Sequence, residues 1–350
     1  MDRYIGIDAH SQSCTLAVVG PSGRRLKSQL VETNGKALVE ALKSIPGRKH
    51  LCLEEGTQSE WLHEILAPHV EEIVVTVPPK RSGQKDDLGD AFARAEELRV
   101  GALESIVFKA PRQFSGLRNA VRAYGMVSQD IARTKNRLKA VYRSRGISTE
   151  DDVYKSKAAG RYLAKLPESH RQLAESLSQQ LEALVPLQEQ AETWLHQEAK
   201  KHTIVRKLQS APGVGPIRAA QVAAIVVTPH RFRTKRQFWS YCGLGIVMRS
   251  SSDWVRKDGH WVRAETKQTR GLNRNCQPLL KAIFKGAATT VIGQIPDHPL
   301  HQHYQRMVNG GIKPNLAKLT VARRIAAAVL AMWKNGEVYD RKRIELNKKA

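Results

Sequence analysis

Two apolar runs in the first third of the chain each end in a carboxylate: Tyr4 to Ile7 runs into Asp8, and Leu51 to Leu53 runs into Glu54. Runs this short and apolar are core strands, so an acid that closes each one sits at the rim of a sheet. Thr15 to Val19, a segment near Leu26 to Leu30, and Ile73 to Val77 add further strands. The Gly-Pro-Ser-Gly turn at 20 to 23 joins the second to the third, so the chain opens with a three-strand meander. Gly35 to Ser44 carries Leu38, Ala41 and Leu42 at helical spacing, and Ser59 to Leu66 carries Leu62, Ile65 and Leu66. Strands in hairpins, then strands alternating with helices, predict a mixed α/β sheet covered by helices.

The pattern changes at Arg112. Phe114, Leu117, Val121, Tyr124, Ile131, Leu138 and Tyr142 follow a three-and-four repeat, interrupted by Ser128 and Lys135, which predicts a long coiled-coil helix. Arg112 to Arg145 holds nine basic residues and one acid, Asp130, so one face, including Arg133 and Arg137, is expected to meet nucleic acid. His170 to Trp194 repeats Leu173, Leu177, Leu181, Leu184 and Leu187, with Pro186 predicting a kink or break. The two stretches could pair as an antiparallel hairpin or engage another subunit. Lys201 to Lys285 holds 17 basic residues against Asp253, Asp258 and Glu265. A Gly/Pro-rich link, Ile292 to Pro314, an amphipathic helix, Leu316 to Trp333, and a basic tail, Arg341 to Lys349, complete the chain. The expected division is 1–111, 112–200, 201–295 and 296–350.

Lys and Arg number 57 against 33 Asp and Glu, a net charge of +24, which calls for a polyanionic partner. No stretch reaches the roughly 18 to 20 apolar residues of a membrane span, and Met1 to Ala9 does not read as a signal peptide. A cytoplasmic protein is expected. Cys14, Cys52, Cys242 and Cys276 lie far apart with no CxxC pair, which argues against disulfides and structural zinc.

Three groups of residues can carry chemistry. Asp8 and Glu54 at strand ends, with Asp87 and Asp90 three apart on one helical face, make a hard-oxygen pocket suited to one or two Mg²⁺ ions. Glu55 competes with Glu54 for its place. Taken singly, each acid also fits a plain structural role, such as a turn at Asp8 or a helix cap at Asp86 or Asp87. Crowded together, they should make the metal-free protein more stable when any one is removed. Ala-Pro-Gly-Val-Gly-Pro at 211 to 216 resembles a helix-hairpin-helix turn, in which Gly213 and Gly215 let backbone N–H groups approach a phosphate; an ordinary tight turn between core helices is the alternative. Ser250, Ser251 and Ser252 follow an apolar run and lie among Arg249, Arg256 and Lys257, where a phosphodiester would be held and a serine could act as nucleophile.

With these residues in place the chain resembles the insertion-sequence transposases that join a DEDD-type, RuvC-like N-terminal domain to a transposase domain carrying a serine, the bridge-RNA-guided or seekRNA-guided recombinases. The motifs, in order, are Gly-Ile-Asp-Ala-His at 6 to 10, Leu-Glu-Glu-Gly-Thr at 53 to 57, Lys-Asp-Asp-Leu-Gly-Asp-Ala at 85 to 91, Ala-Pro-Gly-Val-Gly-Pro at 211 to 216, and Gly-Leu at 243 with serines seven to nine residues later. The resemblance implies an RNase H-like (RuvC-like) fold, a coiled-coil helical insertion and a mainly helical basic C-terminal transposase domain. It also implies Mg²⁺, a noncoding guide RNA, and a serine that attacks DNA. Asp8, Glu54, Asp87 and Asp90 match the four acids, and Ser251 matches the serine when counted from Gly243. The usual Glu-Ala-Thr-Gly reads Glu-Glu-Gly-Thr here, Gly-Leu lacks its following Pro, and Ser-Gly has become Ser-Ser-Asp.

The leading expectation is an RNA-guided DNA transposase or recombinase, bacterial and nucleoid-associated when acting on DNA, assembling as a dimer or tetramer on its substrates. The alternatives are a metal-dependent Holliday-junction-resolving nuclease and a non-catalytic nucleic-acid-binding protein; the last leaves the four acids unexplained.

Overall fold

The computed structural model describes residues 1–78, 86–110, 112–154, 156–249, 254–263 and 268–341, and the chain divides into two compact units, Met1–Arg112 and Gln113–Ala350. The first unit is built on β1 (Asp2–Ala9), β2 (Ser13–Val19), β3 (Arg25–Glu32), β4 (Arg48–Glu54) and β5 (Glu72–Thr76), which lie in the order β3-β2-β1-β4-β5. The first three form an antiparallel meander, and β4 and β5 join it parallel to β1. Parallel neighbours need crossover connections. α1 (Gly35–Lys43) precedes β4, α2 (Ser59–Leu66) leads to β5, and α3 (Asp87–Val100) follows it. Asn34 starts α1 by accepting the Ala37 N–H on its side-chain oxygen at 3.0 Å.

Side-chain alternation sends Ile5, Ile7, Leu16, Val18, Leu51 and Leu53 to one face, where Leu38, Leu42, Leu62 and Leu66 of α1 and α2 close a dry core. The other face carries Gly6 and Asp8 of β1 and Ala17 and Val19 of β2, and α3 packs there through Ala91, Phe92 and Ala95. Helix and strand meet at Gly6. A Cβ at this position would lie 1.9 Å from the Ala91 carbonyl oxygen and 2.9 Å from the Ala95 nitrogen.

In the second unit, α4 (Ser115–Arg143) leads through α5 (Ser156–Leu163) to α6 (Glu168–Lys200). α4 and α6 pair antiparallel within the chain. Gln188 donates to Ser128 at 3.0 Å, Thr134 to Gln180 at 3.4 Å, and Leu138, Val141 and Tyr142 close on Ala174 with Val153, Tyr162 and Leu166. The polar interruption at Ser128 is thus a bond across the hairpin. α6 differs from expectation twice. Of the kink or break expected at Pro186 the break is absent: the helix continues past it, and the lost backbone bond is one among those of a 33-residue helix braced by α4. Its buried stripe is Ala174, Leu181, Ala191, Leu195 and Ala199, with Leu173 and Leu187 exposed, so alanine as well as leucine forms the packed face.

The chain continues through α7 (Thr203–Leu208), α8 (Pro216–Val226), α9 (Lys235–Tyr241), β6 (Ile246–Arg249), β7 (Trp254–Lys257), β8 (His260–Arg263), β9 (Gln268–Leu272), α10 (Pro278–Gln294), α11 (Pro299–Asn309) and α12 (Pro314–Asn335). The four short strands occupy a stretch expected to be mainly helical. β6 pairs with β9, and β7 with β8 between them, both antiparallel. The inner turn is Asp258-Gly259, with φ of 53° and 81°, the pair of left-handed residues that a type I′ hairpin requires. The expected link at 292–314 is also structured: Pro299 starts α11, and His298 accepts the Leu300 N–H at 3.1 Å, so proline here begins a helix. Phe238 and Phe284 meet edge-on at 5.9 Å, and Trp239 donates to the Arg323 carbonyl at 2.9 Å, tying α9 to α10 and α12. No helix among the described residues is long and apolar enough to cross a membrane. The tail at 342–350 lies outside the described residues.

Gly6→Ala should force α3 away from the sheet at a cost of about 1–3 kcal/mol. The expected result is a melting temperature lower by roughly 5–15 °C in a calorimetric scan; an unchanged melting temperature would contradict the close contact.

Candidate active site

Asp8 lies near the end of β1 and Glu54 closes β4. Ile7 is opposite Leu53 in the parallel register, so the two acids follow as the next pair at the rim of the sheet, on the face covered by α3. α3 begins at Asp87, and Asp90 and Arg94 follow at helical spacing beside Ala91 and Ala95, which touch the sheet. The close approach at Gly6 therefore brings the first turn of α3 to the rim.

There the groups interlock. His10 Nε2 is 3.2 Å from Asp8 Oδ2 and 3.2 Å from Asp87 Oδ2. With the ring proton on Nε2, the imidazole donates toward both carboxylates. The ligand atoms of Asp8, His10 and Asp87 all lie within 4.8 Å of one another. Asp90 keeps one carboxylate oxygen, Oδ2, shielded from solvent.

Glu54 is held differently. Arg94 Nε donates to Glu54 Oε1 at 3.1 Å, and its Nη1 donates to Glu97. Arg94 is only 8% exposed. Burial works against its charge, but the Glu97 and Glu54 carboxylates outweigh that effect and hold its pKa above the ordinary value. The expectation that losing any acid stabilises the protein therefore fails for Glu54, whose removal would strip a buried guanidinium of a partner. Glu55 accepts the Ser59 hydroxyl at 3.1 Å and pairs with Lys109. Burial pushes the Cys52 thiol up to about 11, so it is no thiolate ligand at neutral pH.

His10 and Arg94 escaped the sequence reading. His10 shares the strand parity of Asp8, and Arg94 sits four residues after Asp90, so both spacings were available as signals. The carboxylates of Asp8 and Asp87 suit a hard divalent cation, and the His10 imidazole adds a nitrogen donor.

The remaining residues lie in the second unit. Ser250, Ser251 and Ser252 fall outside the described residues. Arg249 ends β6, and Arg256 and Lys257 are exposed on β7. Gly213 has a φ of +71°, and a Cβ on it would lie 2.3 Å from the Ala287 carbonyl of α10, so this glycine is required for packing. Gly215 is exposed and caps α8, with Pro216 as its first residue. Arg133 and Arg137 are exposed on α4, and Arg133 donates to Asp130 at 3.2 Å.

A mixed five-stranded sheet with acids at its rim and on the helix above is consistent with an RNase H-like DEDD domain, a class that processes nucleic acids with divalent metal. Comparison with known families is more particular. Residues 5–144 match the DEDD_Tnp_IS110 transposase model, and residues 205–305 match the transposase IS116/IS110/IS902 family model. Two segments of the chain thus match transposase family models, which supports a DNA-transposing enzyme. No curated protein matches it.

Mn²⁺ or Mg²⁺ should raise the melting temperature, by linkage worth about 2.7 kcal/mol at a hundredfold excess over Kd. Asp8→Asn and Asp87→Asn should each remove most of that rise in a thermal-shift titration. A full rise in both variants would place cation binding elsewhere.

Proposed function

We propose that the chain is an RNA-guided DNA recombinase of an insertion sequence, in which Ser251 is the nucleophile and the acids of the first unit hold Mg²⁺. The observation that carries this reading is the convergence of Asp8 and Asp87 on one point, inside a segment matched by a transposase family model. Asp8 and Asp87 hold the cation, Asp90 supports them from the next turn of α3, and Glu54 stands beside them, oriented by Arg94. Glu54 fits this role better than Glu55, since Glu54 lies on the α3 face and Glu55 is engaged by Ser59 and Lys109. Bound Mg²⁺ would supply charge neutralisation at a phosphate and make a hydroxyl more acidic.

Ser251 Oγ attacks a DNA phosphorus; a bond from serine oxygen to phosphorus forms, one strand oxygen leaves, and the serine proton ends on the released hydroxyl. The hydroxyl of a second strand then attacks the same phosphorus and displaces the serine, which regains a proton. One phosphate ester is broken and one made in each step, so joining needs no external energy source. Target choice falls to base pairing with a noncoding guide RNA, and the protein acts as a homo-oligomer on DNA.

The parts of the chain divide the labour as 1–111 for the acids, 112–200 for nucleic-acid binding along a helical hairpin, 201–295 for the serine, and 296–350 for the closing helix and tail. Exposed Arg133 and Arg137 on α4, Arg256 and Lys257 on β7 and the open backbone at Gly215 support phosphate contacts in the second and third of these. Arg249 is assigned to the same phosphates from its place at the end of β6.

Incubation with DNA, guide RNA and Mg²⁺ should yield a protein–DNA adduct that survives denaturation and maps by mass spectrometry to Ser251. Ser251→Ala should eliminate it, and Ser250→Ala or Ser252→Ala should not. An adduct persisting in the Ser251 variant moves the nucleophile to a neighbour, and cleavage with no adduct in any variant favours a water-attack, junction-resolving nuclease.

A further inference from the structure

The β7–β8 hairpin leaves two of the chain's largest apolar side chains in water. Trp254 is 56% exposed and Trp261 is 66% exposed. In the antiparallel register Trp254 is opposite Arg263, and Arg256 is opposite Trp261. Directly opposed residues share a face, as do residues two apart on one strand. Positions 254, 256 and 261 therefore lie on one side of the ribbon, with Arg256 two residues from Trp254 along the strand and opposite Trp261 across it. The two tryptophans occupy diagonal positions, spaced by roughly 7–8 Å between backbones. Lys257 and His260 belong to the opposite side, next to the Asp258-Gly259 turn. Asp258 is the only acid between Trp254 and Arg263.

Tryptophan faces spaced by cationic side chains match a chain of aromatic rings joined by phosphates. We propose that this side of the β7–β8 hairpin is a stacking surface for unpaired DNA bases, with Trp254 and Trp261 as the aromatic faces and Arg256 as the phosphate contact. A duplex hides its base faces, so the ligand is a strand with its bases exposed. The acid-poor sequence favours a polyanion over an apolar protein groove. The choice of DNA over RNA rests on the recombinase reading, because exchange of strands leaves DNA unpaired near the point of reaction. Stacking itself is independent of Ser251 and of the metal site.

The test uses the full chain without metal and a single-stranded DNA oligonucleotide of about 16 nucleotides carrying 2-aminopurine. Binding to wild type should quench the probe by stacking. Trp254→Ala and Trp261→Ala should each weaken single-strand binding about tenfold and the double variant about a hundredfold, with loss of the quench. Trp254→Phe and Trp261→Phe, which keep an aromatic face, should retain most of both. Affinity for duplex DNA of the same length should stay unchanged in all variants, since backbone charge is untouched. Unaltered single-strand affinity in the double alanine variant, or an equal loss on duplex, would overturn the proposal. Tryptophan dependence seen only with RNA of the same sequence would overturn its assignment to DNA.

Discussion

The contact of α3 with β1 at Gly6 is the constraint on which the first unit depends. Only a residue without a Cβ lets the carbonyl of Ala91 and the amide of Ala95 come down onto the strand. Ala91 and Ala95 are themselves small, so helix and sheet meet nearly backbone to backbone, and Phe92 fills the space beside them against Ala17 and Val19. That closeness places the first turn of α3 over the ends of β1 and β4, where Asp8 and Glu54 stand next in register. With a larger residue at position 6 the same acids would exist on the same elements without converging.

Carboxylates gathered at one rim repel one another unless hydrogen-bond donors stand among them. The chain interleaves two groups: His10 between Asp8 and Asp87, and Arg94 beside Glu54 and Glu97. The two have different consequences. Arg94 is buried and its charge is held by two carboxylates, so it is a fixed part of the frame. His10 is more open, with a side chain 37% exposed, and its Nε2 occupies the ground between two oxygens that a divalent cation would also seek. A rigid guanidinium thus orients one acid while an imidazole balances the other two.

The strands and the rim acids were legible in the sequence because two-residue alternation and short apolar runs are local properties. The partners of the acids were not, since Arg94 reaches Glu54 across 40 positions and only the helix-to-sheet contact decides that they meet. His10 was within reach, two residues after Asp8 and just past the end of β1. In α6 the leucine repeat holds only in part: Leu181 is buried and Leu177 packs against the core, whereas Leu173 and Leu187 are exposed and Ala174, Ala191 and Ala199 take buried positions. The turn of the β7–β8 hairpin is legible in Lys257-Asp-Gly-His260, but its strands are only four residues long and rich in cations, so they carry little apolar alternation. The Gly/Pro-rich stretch at 292–314 holds α11 rather than a plain link, because the fixed φ of Pro299 begins a helix.

The central claim is that β1 and α3 together form one divalent-cation site through Asp8 and Asp87. Anomalous diffraction from crystals grown with Mn²⁺ tests it most directly. The expected result is a strong peak within about 2.0–2.6 Å of carboxylate oxygens of both Asp8 and Asp87. Peaks confined to other carboxylates, with Asp8 and Asp87 still closed on His10, would contradict it.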